Sequence, residues 1–432
     1  MADRNPRRPR MTIAALVLLL LAVGLTGQAP APSAAISPRL AALKAGLEKG
    51  DGTALMVFWK EAALRTTPLV EPNPADPKTM LVTFLWRGDA DVPAVVVAGY
   101  ALGPDRSKNM LEKLPGTDLW VRTRVLPADL RMVYGFAVNP ARPSVGPPAA
   151  WRRDPLNPRT FVFPKDPDST AGEDLAASLL ELPEAAPQPW IKKVTGRPEG
   201  RIERFRLKSE ILKNERRIFV YTPPGYDPKG APYALLVVFD GREYVGQVGT
   251  PVTLDNLIAE KRIPPTVAVF VDNANPFSRG KELGDYPPMA EFLARELRPW
   301  IRAHWRVSDD PARAAIAGSS SGGIAAACAA LRHPEIFGNV LAQSGAYFDD
   351  AEGPIGDEWI FRYLIGQPRL PIRFSLDVGR YAPLFSINAS RELRNVLEAK
   401  GYTVHYTEFA GGHDYSQWRG TLADGLIDLL GR

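Results

Sequence analysis

The sequence predicts a mixed α/β architecture: a mostly parallel sheet with helices on both faces, preceded by a small β-sandwich. Three observations predict it. In the second half, "YALLVVFDG", "TVAVFVDN", "AAIAGSS", "NVLAQSGA" and "IRFSLDVG" are short apolar runs at near-regular spacing, with helical patterns such as "PMAEFLARELRPWIRAHW" between them. Strands without polar alternation are buried on both faces, as happens when helices cover both sides of a parallel sheet. In the first half, "MLVTFLWRG", "DVPAVVVAGY", "DLWVRTRVL" and "RMVYGFAV" recur with turns between them, the pattern of a small sandwich. Between the halves, residues 139–200 are dense in proline, which favours extended chain over regular elements.

The elements follow in order. At 432 residues the chain is too long for one ordinary core, so two domains behind a leader are expected. Residues 1–35 read as a signal peptide: a cationic "MADRNPRRPR", an apolar run over 11–25 that is short for a spanning helix, then small residues and prolines in "TGQAPAPSAA". Cleavage is expected between Gly27 and Ile36, giving a periplasmic or secreted protein without stable membrane insertion; an uncleaved anchor is the alternative. No cysteine follows the apolar run, which excludes a lipoprotein anchor.

Residues 36–75 form an N-terminal helical segment: "SPRLAALKAGLEKGD" opens with a Ser-Pro helix start, and Leu40, Leu43 and Leu47 share a face before "TTPLVEPNPADPKT" breaks the chain. Residues 76–165 are the sandwich, where alternation in "LWVRTRVL" puts Leu119, Val121, Thr123 and Val125 on one face. Residues 166–199 are read as a proline-rich linker, with the domain boundary near 195. Residues 200–432 are the α/β domain, opened by a hairpin of "RIERFRLKSEIL" and "ERRIFVYTPPGY". No internal repeat is present.

Composition bounds the partners. Hydrophobic residues make up 45% and charged residues 23%, ordinary for a soluble globular protein. The leader holds a net +3 of the chain's +5, so the folded part carries no nucleic-acid footprint. The single cysteine, Cys328, has no internal partner and sits in the apolar "IAAACAAL", as a buried inert thiol does. It and four scattered histidines offer no ligand cluster, so no metal or other cofactor is expected.

The chemistry centres on "AAIAGSSSGG", residues 314–323. Gly318-Ser319-Ser320-Ser321-Gly322 fits the G-x-S-x-G turn from strand to helix of an α/β-hydrolase. That turn leaves no room for side chains two residues before and after the serine. It strains the Ser320 backbone and exposes its hydroxyl at the carboxyl edge of the sheet. The backbone N–H of Ser321, near a helix N-terminus, is then placed to face a developing oxyanion. A second donor is expected in the loop after "LLVVFDG", from the N–H of Gly241 or Arg242, where Gly241 leaves room for a substrate carbonyl.

The serine needs a base. His304 and His333 fall at helix ends, and His405 falls within the alternating strand "YTVHYTEF". His413 lies directly after a strand and two glycines in "FAGGHDYSQWR", 93 residues beyond Ser320. Nucleophile before histidine is the chain order an α/β-hydrolase requires.

At this point "ERRIFVYTPPGYDP", "LLVVFDGREY", "SRGKEL", "AGSSSGG" and "GGHDYSQWR" resemble the putative-esterase family that includes enterochelin esterases and feruloyl esterases. The first domain, in "VTFLWRGDA", "LPGTDLWVRT" and "DPLNPRTFVF", resembles the enterochelin-esterase N-terminal domain. The resemblance spans roughly residues 75 to 430. It implies ester hydrolysis with Ser320 as nucleophile, His413 as base and an oxyanion site from Ser321 with the Gly241-Arg242 loop.

One departure stands out. In the family the triad acid lies three residues after the glycine of the strand-end motif, and in "LDVGRYAPLF" that position is Ala382. Asp377, two residues before the glycine, is taken as the substitute. Asp349 and Asp350, the adjacent Asp414, and a bare Ser-His dyad are the alternatives.

The resemblance also implies a small-molecule ester substrate. Enterochelin is a trilactone that binds iron as an anion, so Arg242, Arg279 and Lys281 are candidate cationic contacts, with Tyr244 and Trp418 as walls. Feruloyl or acyl sugar esters, acyl transfer on the same fold, and a catalytically weakened binding protein are the competing readings. Oligomeric state is not legible.

Overall fold

The computed structural model describes residues 37–431 except 89–91, 104, 139–150, 167, 169–172, 276–277, 285 and 348–358. The leader and the candidate acids Asp349 and Asp350 lie outside the described residues.

The chain starts with α1 (Pro38–Glu48), whose cap Ser37 accepts the N–H of Leu40 at 3.2 Å. It is followed by α2 (Ala54–Arg65). The next strands are β1 (Leu69–Pro72), β2 (Thr79–Arg87) and β3 (Val95–Gly99), then the short helix α3 (Arg106–Asn109) and β4 (Glu112–Lys113). β5 (Leu119–Pro127), β6 (Arg131–Val138), β7 (Trp151–Arg152), β8 (Thr160–Phe163) and β9 (Leu175–Glu181) complete the domain. One sheet has the order β1-β2-β5-β4 and the other β3-β6-β9-β8, with β7 paired to β6. Their inner faces meet in a core of Val82, Phe84, Trp120 and Leu126 from one sheet and Val97, Met132, Tyr134 and Phe136 from the other.

Two expectations change here. Leu119 and Val121 do share a face, but it is the outer one: they pack beneath α1 and α2 with Leu40, Leu43 and Phe58, while Trp120 and Leu126 point into the sandwich. Val125, beyond the cover of the helices, is left 46% exposed. The segment taken as a linker over 166–199 contains β9, which sits between β6 and β8 and buries Leu179 and Leu180. Its prolines, Pro167 before the strand and Pro183 onward after it, flank the strand instead of interrupting it, so the strand survives in a proline-rich stretch.

The second domain opens with the expected antiparallel hairpin, β10 (Arg201–Ser209) and β11 (Asn214–Thr222). The remaining strands are β12 (Ala234–Phe239), β13 (Thr266–Val271), β14 (Ala314–Ser319), β15 (Asn339–Gln343), β16 (Arg373–Gly379) and β17 (Thr403–Phe409). The order is β10-β11-β13-β12-β14-β15-β16-β17, parallel from β13 onward. The helices between them are α4 (Gly241–Gly246), α5 (Thr250–Ala259), α6 (Arg279–Gly284), α7 (Tyr286–Phe292), α8 (Arg298–His304) and α9 (Ser321–Arg332). α10 (Trp359–Gly366), α11 (Leu384–Ala399) and α12 (Tyr415–Leu430) follow.

Both faces of this sheet are covered. Val237, Ile316, Val340 and Phe374 pack under α7 to α11 on one side; Leu236, Val238, Ala317 and Leu341 pack under α5 and α12 on the other. Burial on both faces explains the strands' apolar runs. Between α7 and α8 a π turn over Leu293–Leu297 precedes Pro299, whose missing N–H interrupts regular helical bonding. Cys328 is fully buried in α9, and burial pushes its thiol pKa upward. Among the described residues no helix is long and apolar enough to cross a membrane.

Candidate active site

The parallel sheet presents its carboxyl edge at the ends of β12, β14, β15 and β16. Three of these strands are followed by a residue in the left-handed region: Asp240 (φ 53°), Ser320 (φ 56°) and Ser344 (φ 48°). Non-glycine residues rarely adopt such angles, and strain of this kind persists where surrounding structure enforces it. The chain therefore turns sharply out of neighbouring strands at one place.

Ser320 sits at φ 56°, ψ −123° between β14 and α9. Its N–H donates to Gln343 O at 2.9 Å, and its carbonyl accepts from Gly323 N at 2.9 Å and Ala346 N at 3.1 Å. A Cβ on Gly318 would lie 2.5 Å from the carbonyl carbon and oxygen of Gly322, so glycine is required there by contact across the turn, while a Cβ on Gly322 would crowd Phe239 Cβ at 3.3 Å. Ser321 opens α9, and the first N–H groups of a helix have no partner within it. Ser319 is fully buried with its Oγ unpartnered.

The loop after β12 is organised by a buried ion pair. The Asp240 carboxylate accepts Arg279 Nε and Nη2, both at 2.7 Å, and Asn273 Nδ2 at 2.9 Å; Arg279 Nη2 also lies 3.3 Å from Ser319 O. Arg279 is thus held between strand ends and ties α6 to the serine turn. The Arg242 N–H points at Asp272 Oδ1 across a long 3.5 Å, while its side chain pairs with Glu243 and reaches Pro164 O at 3.4 Å. Gly241 has a different reason from the one expected: a Cβ there would stand 3.0 Å from the Phe270 backbone, so the constraint is packing on β13.

Beside this loop lies a cleft of about 450 Å³ whose lining includes Arg206, Arg217, Arg242, Arg279, Asp166 and Asp272. Arg217 joins the two domains there, donating to Asp166 Oδ2 at 2.8 Å and Asp272 Oδ2 at 2.8 Å. Hydrogen bonding from Arg217 lowers the Asp166 pKa to about 2. The sequence reading missed Arg206 and Arg217; the signal available was an arginine on each strand of the hairpin that opens the domain.

His413 follows β17 in a loop pinned at several points. Ala410 O accepts Arg131 N at 3.1 Å and Gln417 Nε2 at 2.8 Å. Asp414 caps α12, accepting Ser416 N at 2.8 Å. The imidazole meets Trp418 edge to face at 4.9 Å and Tyr100 at 6.4 Å. Burial, then the nearby Arg279 charge, lowers its pKa to about 4, so the ring is a neutral acceptor near neutrality. Its Nδ1 is out of solvent and without a hydrogen-bond partner.

The structure does not bring Asp377 to His413. Asp377 ends β16 opposite Gln343, and its carboxylate accepts Ser344 N at 2.9 Å and lies 3.5 Å from Gln343 Nε2. Burial raises its pKa to about 7. It connects to the histidine indirectly, through Ser344, whose Oγ accepts Trp418 Nε1 at 3.1 Å, and through Gln343, whose Nε2 donates to Trp418 O at 2.9 Å. Asp414 uses Oδ1 for its own helix cap, accepting Ser416 N and Oγ, while its Oδ2 is buried without a hydrogen-bond partner. Ala382 lies in an apolar cluster with Val378 and Ile387, a poor place for a carboxylate.

The proposed walls are also corrected. Tyr244 is fully buried with its hydroxyl donating to Gln343 Oε1 at 2.8 Å, and Trp418 is 3% exposed, so neither faces a substrate directly. Arg242 and Arg279 are paired, and Lys281 is exposed on α6 with no ion-pair partner among the described residues. His304 and His333 end helices and His405 is half exposed on β17, as read from the sequence.

With this geometry in place, the comparisons are decisive. Residues 209–429 match the putative esterase family, and residues 81–191 match the enterochelin esterase N-terminal domain. The chain belongs to the putative esterase family. It is a carboxylic ester hydrolase on an α/β-hydrolase fold. An iron(III) enterobactin esterase from Dickeya dadantii is 31% identical over 92% of this chain and 96% of its own. An iron(III) salmochelin esterase from Escherichia coli is 29% identical over 91% of this chain and 98% of its own. The crystal structure of the enterobactin esterase from Shigella flexneri, in the presence of enterobactin, superposes with a TM-score of 0.70 at 27% identity, covering 86% of this chain and 97% of that one. In this esterase, then, the sandwich and the hydrolase domain occur together as they do in those relatives.

Proposed function

We propose that the protein is an exported serine esterase that opens the ester bonds of a siderophore trilactone. The observation that carries the mechanism is the strained Ser320 at the tip of the β14–α9 turn. Its Oγ attacks the ester carbonyl carbon while the neutral His413 takes the hydroxyl proton, and the tetrahedral oxygen is met by the Ser321 N–H at the start of α9. The departing alkoxide takes that proton from His413, leaving an acyl-Ser320. Water, deprotonated by the same histidine, then attacks the acyl carbon; the bond to Ser320 Oγ breaks, the histidine returns its proton to Oγ, and a carboxylic acid is released. Among the described residues no carboxylate bonds to His413 Nδ1, and in this reading the pair works as a dyad. The reading of the substrate is supported by the enterobactin and salmochelin esterases that resemble the whole chain, and the reading of export by the leader over residues 1–35.

Hydrolysis of ferric and iron-free trilactone, a feruloyl sugar and short-chain nitrophenyl esters tests this, with Ser320→Ala as control. Preference for the trilactone is expected; preference for the feruloyl sugar would overturn the substrate. Mass spectrometry of the exported chain is expected to find an N-terminus between Gly27 and Ile36, and an intact Met1 in membranes would overturn export.

A further inference from the structure

A serine hydrolase must orient its histidine so that Nε2 faces the nucleophile, and a carboxylate on Nδ1 ordinarily does this. Among the described residues His413 Nδ1 has no such partner, yet its loop is closely restrained. The restraints come largely from the other domain. The Tyr100 ring lies 6.4 Å from the imidazole at an interplanar angle of 62°. Gly412 has no room for a side chain, because a Cβ would stand 2.5 Å from Tyr100 Cβ, 2.8 Å from its carbonyl carbon and 2.9 Å from Ala101 N. Arg131, also in the sandwich, donates its N–H to Ala410 O and accepts Gln417 Nε2 at 2.9 Å on its own carbonyl.

We propose that Tyr100 is a positioning residue for His413, so that the sandwich domain supplies the orientation a triad carboxylate would otherwise give. The proposal rests on the esterase reading of Ser320 and His413. The main chain of the loop is fixed by Arg131 and Gly412; what remains is rotation of the ring about its own side-chain bonds. Edge contacts with Trp418 and Tyr100 restrict that rotation. Tyr100 also excludes water from the ring. Among the described residues, the charged or titratable groups beside the imidazole are Arg279 of α6, the adjacent Asp414 at the α12 cap, and Tyr100 itself, whose phenol is raised to about 12 by burial and the Asp414 charge and so stays neutral.

The test uses the full chain with a nitrophenyl ester. Tyr100→Leu, which keeps apolar bulk without a ring, is expected to lower kcat by on the order of ten- to a hundredfold, as small misplacements of catalytic groups do, with KM little changed. Opening the ring to water is expected to move the acid limb of kcat/KM upward, from about 4 toward the ordinary histidine range. Tyr100→Phe, which retains the ring, should recover most of kcat. Wild-type kcat and an unmoved acid limb in Tyr100→Leu would overturn the proposal, as would a raised KM with kcat intact. If Tyr100→Leu does not fold, Gly412→Ala probes the same contact from the loop, and a wild-type kcat there overturns the proposal equally. A wild-type chain that neither hydrolyses esters nor reacts with a fluorophosphonate removes the esterase reading, and this proposal with it.

Discussion

In the proposed mechanism the nucleophile turn and the histidine loop serve one reaction, but they are built in different ways. Ser320 is placed by its immediate neighbours: a buried strand before it, a small-residue helix after it, and glycines that touch each other across the turn. His413 is placed largely by residues far away in sequence, Tyr100 and Arg131 of the sandwich, beside its near neighbour Trp418 on α12. A locally encoded element can be moved between proteins with its function. A loop held from another domain cannot, and the two should respond differently to substitution.

The largest effect is expected at the locally built element. Ser320→Ala removes the nucleophile and should lower turnover by on the order of 10³ or more, with the fold retained. Fluorophosphonate labelling followed by peptide mapping checks this, and the label should fall on Ser320. Ser319→Ala, which removes a buried hydroxyl that has no partner, should stay close to wild type. Label on Ser319 would break the assignment.

Next comes the loop held from outside. Gly412→Ala adds a Cβ 2.5 Å from Tyr100 Cβ, so the loop or the sandwich must move by roughly an ångström, and displacements of that size cost on the order of a hundredfold in rate. Steady-state kinetics beside a thermal melt separate this from simple destabilisation: kcat should fall far more than the folded fraction.

These contrasts explain what was legible in the sequence. The G-x-S-x-G turn is contiguous, so its glycines, its strand and its helix could all be read at once. The order Ser320 then His413 was legible because each follows a readable strand. The function of the glycines before His413 was not: Gly412 is small because another domain touches it, and no local pattern carries that. Val125 fell on the exposed face because helices from the N-terminal segment cover only the first part of its strand. β9 was hidden by prolines that flank it, and Asp377 was misread because its partners, Ser344 and Gln343, belong to a neighbouring strand.

The histidine's surroundings give a smaller, pH-dependent effect. A histidine lowered to about 4 stays neutral in mild acid, so kcat/KM should hold until the pH approaches that value. An ordinary histidine near 6.5 would already lose about thirtyfold at about pH 5. Stability follows the same sign: the unfolded chain binds the proton first, so the contribution is complete above about 6.5 and is lost as pH falls through 4. An acid limb near 6.5 would mean that the loop opens in solution.

The smallest effect is expected at Asp377. A carboxylate that orients the histidine directly is worth on the order of 10⁴ in turnover, whereas one that only braces Ser344 and Trp418 from behind should be worth about tenfold. Asp377→Asn keeps an acceptor for Ser344 N but turns an N–H toward Gln343 Nε2, so two donors face each other in a buried site. The pH dependence sharpens the distinction. In the fold Asp377 is raised to about 7 from an ordinary 3.8, so its protonated form is favoured: stability from this group is full below about 3.8 and is lost as pH rises through 7. Asparagine carries no such titration. Asp377→Asn should therefore be more destabilising relative to wild type in mild acid than above neutrality, and melts at the two pH values measure this. A loss of turnover near 10⁴, with no such pH dependence, would place the carboxylate on His413 after all and make the two halves of the site more alike than the structure has them.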